Sequence, residues 1–271
     1  MALICVASPK GGVGKTTLAS SLAYGIRREG FDVIALDFDP QNALRLHLGL
    51  PLDDTGGFIG HLASGSDWLS LVIDTPARVG LLPYGAVTES QRLELNAALR
   101  TPGFIKDRLG AMLDLPRTVV IVDLPPGMSS ALQAFSPLAD LRLTTLLADA
   151  ASLSLLPQVD QGRFFPESRK SGSLTRYVLN QFDPRLRLNR EITEIARQRL
   201  GDELLAVIHR DEAVAEAIAR QQPVFEHAPQ SLAAEALNAL VQDVLMLLCD
   251  MPLTDLPSGS DVNTGGSGRH R

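Results

Sequence analysis

Residues 8–17 read Ser8-Pro9-Lys10-Gly11-Gly12-Val13-Gly14-Lys15-Thr16-Thr17. An apolar run from Leu3 to Ala7 precedes them and predicts a buried strand. Behind them Leu18, Leu22 and Ile26 recur at helical spacing and predict a helix as far as Arg28. A glycine-rich turn between a strand and a helix lets successive backbone N–H groups converge on a phosphate. The helix N-terminus adds partial positive charge at the same point. In such a turn Lys15 reaches the β- and γ-phosphates and the Thr16 hydroxyl ligates Mg²⁺. The strict spacing G-x-x-x-x-G-K-[ST] asks for a glycine where Pro9 stands, and an extra lysine, Lys10, precedes Gly11. Lysine is scarce in this chain: Lys10, Lys15, Lys106 and Lys170 are all there is. Two of them share this loop while arginine supplies positive charge elsewhere, so the loop calls for a compact ammonium on a flexible stem. A dinucleotide-binding turn fits less well. Gly12 and Gly14 match its start, but Thr17 occupies the third glycine position and Lys15-Thr16 would have no task.

Two further strands end in acids. Asp32 to Asp37 leads into Asp37-Phe38-Asp39-Pro40-Gln41, and Thr118 to Asp123 leads into Asp123-Leu124-Pro125-Pro126-Gly127. The second is β-branched and apolar on both faces, as a central parallel strand should be. Carboxylates at the carboxyl ends of parallel strands point into the crevice where such sheets bind ligands. Asp37 and Asp39 lie two apart and share a face on an extended segment. Beside a phosphate loop, Asp123 suits a Mg²⁺ held through water, and Gly127 is free to approach a γ-phosphate.

Strands are also expected at Val79–Pro83, Leu141–Leu147, Thr175–Asn180 and Leu204–Ile208. Helices are expected at Asn42–Leu48, Glu89–Arg100, Phe104–Leu113, Ala151–Val159, Asn189–Leu200 and Ser231–Leu248, the last capped by Ser231, with Asp211 capping another. This alternation predicts an α/β fold, a doubly wound and mainly parallel sheet with helices on both faces. Trp68, the single tryptophan, reads as a packing anchor, and His209 as a surface or interface residue without triad or metal partners. The polar stretch 161–173, with Arg163, Arg169 and Lys170, reads as a solvated loop.

The 271 residues suffice for one large α/β unit, expected over 1–250, followed by a polar disordered tail over 251–271. The formal net charge of −6 supplies no overall basic field, so DNA is not the expected partner. The two cysteines, Cys5 and Cys249, lie in apolar runs and suggest no disulfide framework. The chain enters its first strand directly and shows no uninterrupted apolar run of about 18 residues, so a cytoplasmic protein without direct membrane insertion is expected.

The loop Lys10-Gly11-Gly12-Val13-Gly14-Lys15-Thr16-Thr17, the D-x-D-P-Q segment at Asp37–Gln41 and Asp123 with Pro125-Pro126-Gly127 together resemble the ParA/MinD group of ATPases with a deviant Walker A motif. His209-Arg210-Asp211-Glu212-Ala213, Gln222-Pro223-Val224 and Ala233-Ala234-Glu235 are similar to one branch, the bacterial cellulose biosynthesis accessory ATPase family BcsQ/YhjQ. So are Leu44-Arg45-Leu46, Asp67-Trp68 and Leu81-Leu82-Pro83-Tyr84-Gly85. The resemblance implies slow, partner-regulated ATP hydrolysis with Mg²⁺ in a homodimer that sandwiches two nucleotides. It makes Lys10 the lysine that crosses to the partner's phosphates, Asp39 the residue that orients attacking water, and Asp37 a residue at or near the Mg²⁺ shell. It has Asn180 read the adenine edge and Pro223 and Val224 close over the base. Accessory subunits of the cellulose synthase complex are the implied partners, with recruitment to the inner membrane or cell pole through them. A DNA- or cargo-positioning ATPase and a scaffold with little turnover are the alternatives.

Overall fold

A computed structural model describes residues 2–63, 65–166 and 172–250. Its eight strands are β1 (Ala2–Ala7), β2 (Asp32–Asp37), β3 (Ile73–Asp74), β4 (Gly80–Leu82), β5 (Thr118–Asp123), β6 (Leu141–Leu147), β7 (Leu174–Phe182) and β8 (Leu204–His209). The helices are α1 (Lys15–Arg28), α2 (Leu44–His47), α3 (Glu89–Ala98), α4 (Phe104–Leu113), α5 (Ser130–Phe135), α6 (Ala150–Asp160), α7 (Arg187–Leu200), α8 (Glu212–Ala219), α9 (Val224–His227) and α10 (Leu232–Asp250). The strands form one sheet in the order β3-β4-β2-β5-β1-β6-β7-β8, parallel except for the short β3–β4 pair. The predicted doubly wound fold is what the chain adopts.

Alternate residues of each strand feed two cores. Leu3, Cys5 and Ala7 of β1 face one side with Leu109, Phe135 and Leu156 from α4, α5 and α6. Ile4 and Val6 face the other with Leu18, Leu22 and Ile26 of α1 and Leu237, Leu240 and Val241 of α10. The central strands are apolar on both faces because both are covered. Gly25 allows the closest approach of α10 to α1: a Cβ there would overlap a Val241 methyl. β1 thus sends its helix to one face while its neighbours β5 and β6 send theirs to the other. The loops part above β1 and leave a crevice at the carboxyl ends of the strands, where open α/β sheets bind ligands.

Most element bounds agree with the sequence reading within a residue or two. Ser231 and Asp211 act as caps: the Ser231 hydroxyl accepts from Ala234 N at 3.2 Å, and Asp211 accepts from Ala213 N at 3.0 Å. Leu232–Asp250 is 19 residues with a mean hydropathy of 1.6, long and apolar enough to cross a bilayer although polar residues interrupt it. In the fold its Ala233, Ala234, Leu237, Leu240, Val241 and Val244 are buried, so this apolar face belongs to the core. The expected tail over 251–271 lies outside the described residues, as do Arg169 and Lys170.

Candidate functional site

The loop Ser8–Gly14 leaves β1 and turns into α1 through Gly12 and Gly14, both at positive φ of 74° and 81°. Gly14 is needed twice over: its backbone is left-handed, and a Cβ would overlap the Asn180 amide. From the first turn of α1 the buried Lys15 ammonium pairs with Asp123 and lies 3.7 Å from Asp39 Oδ2. Strand register brings the acids together: Asp37 of β2 lies directly beside Asp123 of β5, which lies beside Val6 of β1. Both carboxyls are fully buried.

The charges strain against this burial. Burial first, and then the neighbouring Asp123, push the Asp37 carboxyl well above the usual range, against the N–H groups of Asp39 and Leu44 and the charge of Lys15. Asp123 is raised by burial too, while Lys15 and the Thr16 hydroxyl pull it back. Asp123 Oδ2 has no hydrogen-bond partner. Such an oxygen, deep in the site and close to a threonine hydroxyl, suits a hydrated divalent cation. Among the described residues no cluster of three or more His, Cys, Asp or Glu side chains is assembled for a metal. Mg²⁺ keeps several waters and needs only one or two carboxylates from the protein.

Asp37 is committed to shape. Its Oδ1 accepts from Asp39 N at 3.0 Å and its Oδ2 from Leu44 N at 3.1 Å, bracing the turn that carries Asp39. Phe38 fixes the same turn from the opposite side, packed on Phe135 at 4.5 Å, Phe58 at 5.0 Å and Trp68 at 5.6 Å between ring centroids. Trp68 is therefore the anchor the sequence suggested, and what it anchors is the acidic turn. Gly127, at φ 74°, donates its N–H to Ser8 O at 2.8 Å and so ties the segment after β5 to the glycine loop.

Two cavities adjoin along the start of α1. One, of about 230 Å³, is polar and is lined by Gly11, Gly12, Val13, Gly14, Lys15, Thr16, Thr17 and Asp39. The other, of about 280 Å³, shares Gly14 and Thr17 and runs between β7, β8 and α8, past Asn180, Gln181, His209, Asp211 and Val214. Together they offer one end at the glycine loop beside Lys15 and Asp39 and a more apolar end between β7, β8 and α8.

Three sequence expectations fare differently here. Pro223 and Val224 do not line the larger cavity. They border a separate one of about 20 Å³, and Val224 is a core residue where α9 starts, not part of an open loop. His209 is not simply at the surface: it packs on Phe182 at 5.4 Å and forms part of the cavity wall. Lys10 donates to Asp149 Oδ2 at 2.6 Å within its own chain. Asp149 also caps α6 through Ser152 N at 2.7 Å. Burial would raise the Asp149 carboxyl, but these donors hold it below its ordinary value.

Residues 1–245 match the family model described as cellulose biosynthesis protein BcsQ. The chain belongs to the BcsQ family. Among curated relatives, it is 29% identical to the cellulose biosynthesis protein BcsQ of Salmonella typhimurium, over 91% of this chain and 95% of that one. It is 26% identical to the chromosome partitioning protein ParA of Caulobacter vibrioides, over 90% and 93% of the two chains. Among solved structures, the septum site-determining protein MinD of Pyrococcus horikoshii, complexed with Mg-ADP, superposes with a TM-score of 0.73. It shares 24% identity over 91% of this chain and 97% of that one, a likeness of fold. For a BcsQ-family chain, the loop and the acids were legible in sequence because each ends a strand. The α8 wall was not, because only the fold brings residues 209–215 opposite the start of α1.

Proposed function

We propose that this chain is an ATP-binding and ATP-hydrolysing dimeric switch that supports assembly, regulation or placement of a bacterial cellulose synthase complex. The carrying observation is the convergence of Lys15, Asp39 and Asp123 at the mouth of a glycine loop, beside a second cavity sized for a base. Backbone N–H groups of Gly11 to Thr17 cradle the phosphates, and Lys15 leaves its acids for the β- and γ-oxygens. Thr16 and Asp123 hold Mg²⁺, with Asp37 beside them. The ion supplies positive charge against the phosphate oxygens. Asp39, on its braced turn, orients the attacking water, and Gly127 offers its flexible backbone to the γ-phosphate. Lys10 releases Asp149 and reaches the partner's phosphates, so that ATP favours the dimer and hydrolysis dissolves it. Family membership supports the cellulose role, with accessory subunits of the synthase as partners through which the chain reaches the membrane. The acidic net charge weighs against a DNA-positioning role.

Phosphate release with ATP and Mg²⁺ tests the site. Wild type should turn over slowly. Asp39→Ala should lose at least about tenfold of that rate, in line with the cost of removing a positioning group, while still binding ATP. Lys15→Ala should bind ATP far more weakly. Equal release by wild type and Asp39→Ala would leave only a nucleotide-stabilised scaffold.

A further inference from the structure

On the face of the sheet opposite α1, a groove runs between α3 and α5. Arg92, Leu95 and Asn96 of α3 and Leu99 at its end line it, at the i, i+3, i+4 and i+7 spacing of one helical face. Two cavities lie along the groove and share Leu99. The smaller, of about 170 Å³, is walled by Phe38, Pro40, Tyr84, Leu95, Pro125 and Ala131. Tyr84 is 2% exposed, and its hydroxyl makes no hydrogen bond among the described residues, although a buried tyrosine hydroxyl ordinarily finds one. The larger cavity, of about 300 Å³, lies between residues 99–106 and α5 and carries Arg100 and Lys106. Both cations are exposed and have no ion-pair partner among the described residues. No Asp or Glu lines this cavity, although Asp107 stands in the same turn of α4. Leu93, next to Arg92, and Met128, next to Ser129, are 59% and 63% exposed, so apolar surface continues beyond the cavities.

These features together select the chemistry of an occupant. An apolar cavity of about 150 Å³ holds benzene, so the smaller cavity has room for one aromatic side chain. The Tyr84 hydroxyl calls for an acceptor, and Arg100 and Lys106 call for carboxylates. A polypeptide segment supplies all three, as a ring, a main-chain carbonyl and acidic side chains. Free phosphate would satisfy the cations and leave the apolar end open. The groove also backs onto the nucleotide site. Phe38 stands between Asp37 and Asp39, and its N–H donates to Asp123 O at 2.9 Å. Pro40 follows Asp39, and Pro125 and Ser129 bracket Gly127. The walls of the smaller cavity are therefore the backs of the acidic turn and of the segment after β5.

We infer that the α3–α5 groove docks an acidic segment of a partner polypeptide, with one aromatic side chain in the smaller cavity and carboxylates on Arg100 and Lys106, and that docking is linked to nucleotide. The link, unlike the docking, rests on the nucleotide reading above. The test is fluorescence anisotropy with labelled peptides of glutamate and glycine that carry one Phe at successive positions. The best of these should bind wild type at least about tenfold more tightly than its Phe→Ala counterpart, the scale of burying one ring. Replacing every Glu by Lys should abolish binding. Asn96→Phe, which fills the mouth of the smaller cavity, should remove the advantage of the Phe peptide. A chain with both Arg100→Glu and Lys106→Glu should lose the acidic peptide and gain the lysine one. ATP with Mg²⁺ should change the wild-type affinity by at least about fivefold, and the peptide should change ATP affinity by the same factor. No binding by any peptide, equal binding of the Phe and Ala peptides, or binding unchanged in both variants would overturn the docking site. Equal peptide affinity with and without ATP, in a chain that binds ATP, would overturn the link. A chain that binds the peptide and no ATP would overturn the nucleotide reading instead.

Discussion

At the scale of single residues, the site is a buried excess of carboxyl groups over ammonium. Asp37, Asp39 and Asp123 face the single ammonium of Lys15, and burial opposes the ionisation of Asp37 and Asp123. The arrangement makes sense as a socket for added positive charge and for phosphates that draw Lys15 away. Gly14 shows how little tolerance there is. Gly14→Ala places a methyl on the Asn180 amide and forces alanine into the left-handed region, which alone costs at least about 1 kcal/mol. We expect a lowered melting temperature and loss of the stabilisation that ATP gives wild type. Unchanged ATP-induced stabilisation in Gly14→Ala would contradict the placement of the glycine loop. The sequence disclosed Lys15, Asp39 and Asp123 because each stands in a local pattern. It did not disclose that Asp37 spends both oxygens on backbone N–H groups, since those donors belong to a turn whose path only the fold defines.

At the scale of elements, legibility followed length and periodicity. β2, β5, β6 and α4 carry the bounds the sequence predicted, because each buries a long, regular apolar pattern. β3 escaped notice: two residues form a strand only because β4 is there to pair with. α5 was hidden behind the proline-rich turn, where Ser129 supplies a cap to Leu132 N at 3.0 Å. α9 shows no apolar period in the sequence, yet its Val224 and Phe225 are buried. Another element carries a pH dependence. His47, on α2, lines the small cavity against Thr17, Ser20 and Ser21 of α1, and burial lowers its imidazole from 6.5 to about 4. In the unfolded chain the same ring takes its proton near 6.5, so stability present above that value is lost as the pH falls towards 4. The loss is at most about 3 kcal/mol, because the ring is only partly shielded. Melting temperatures of wild type should therefore fall faster than those of His47→Leu between pH 7 and about pH 4.5. Parallel curves would show that the ring is solvated instead.

At the scale of the whole molecule, the sheet order sets the function. β1 lies between strands whose helices leave to the opposite face, and the crevice this creates holds the glycine loop and Asp39. Lys10 lies at its rim, paired with Asp149 and only partly buried. An ion pair this exposed is weak and readily exchanged for a phosphate. The pair therefore suits a ligand-free protomer, and exchange of Asp149 for the partner's phosphates would link nucleotide to assembly. Light scattering after size-exclusion chromatography measures that link between nucleotide and assembly. Wild type, Asp39→Ala and Lys10→Ala would each be run without nucleotide, with ADP, and with ATP and Mg²⁺. We predict a monomer without ATP, a dimer with ATP that decays in wild type and accumulates in Asp39→Ala, and no ATP-dependent dimer in Lys10→Ala. A mass that ignores nucleotide in all three proteins would contradict the account.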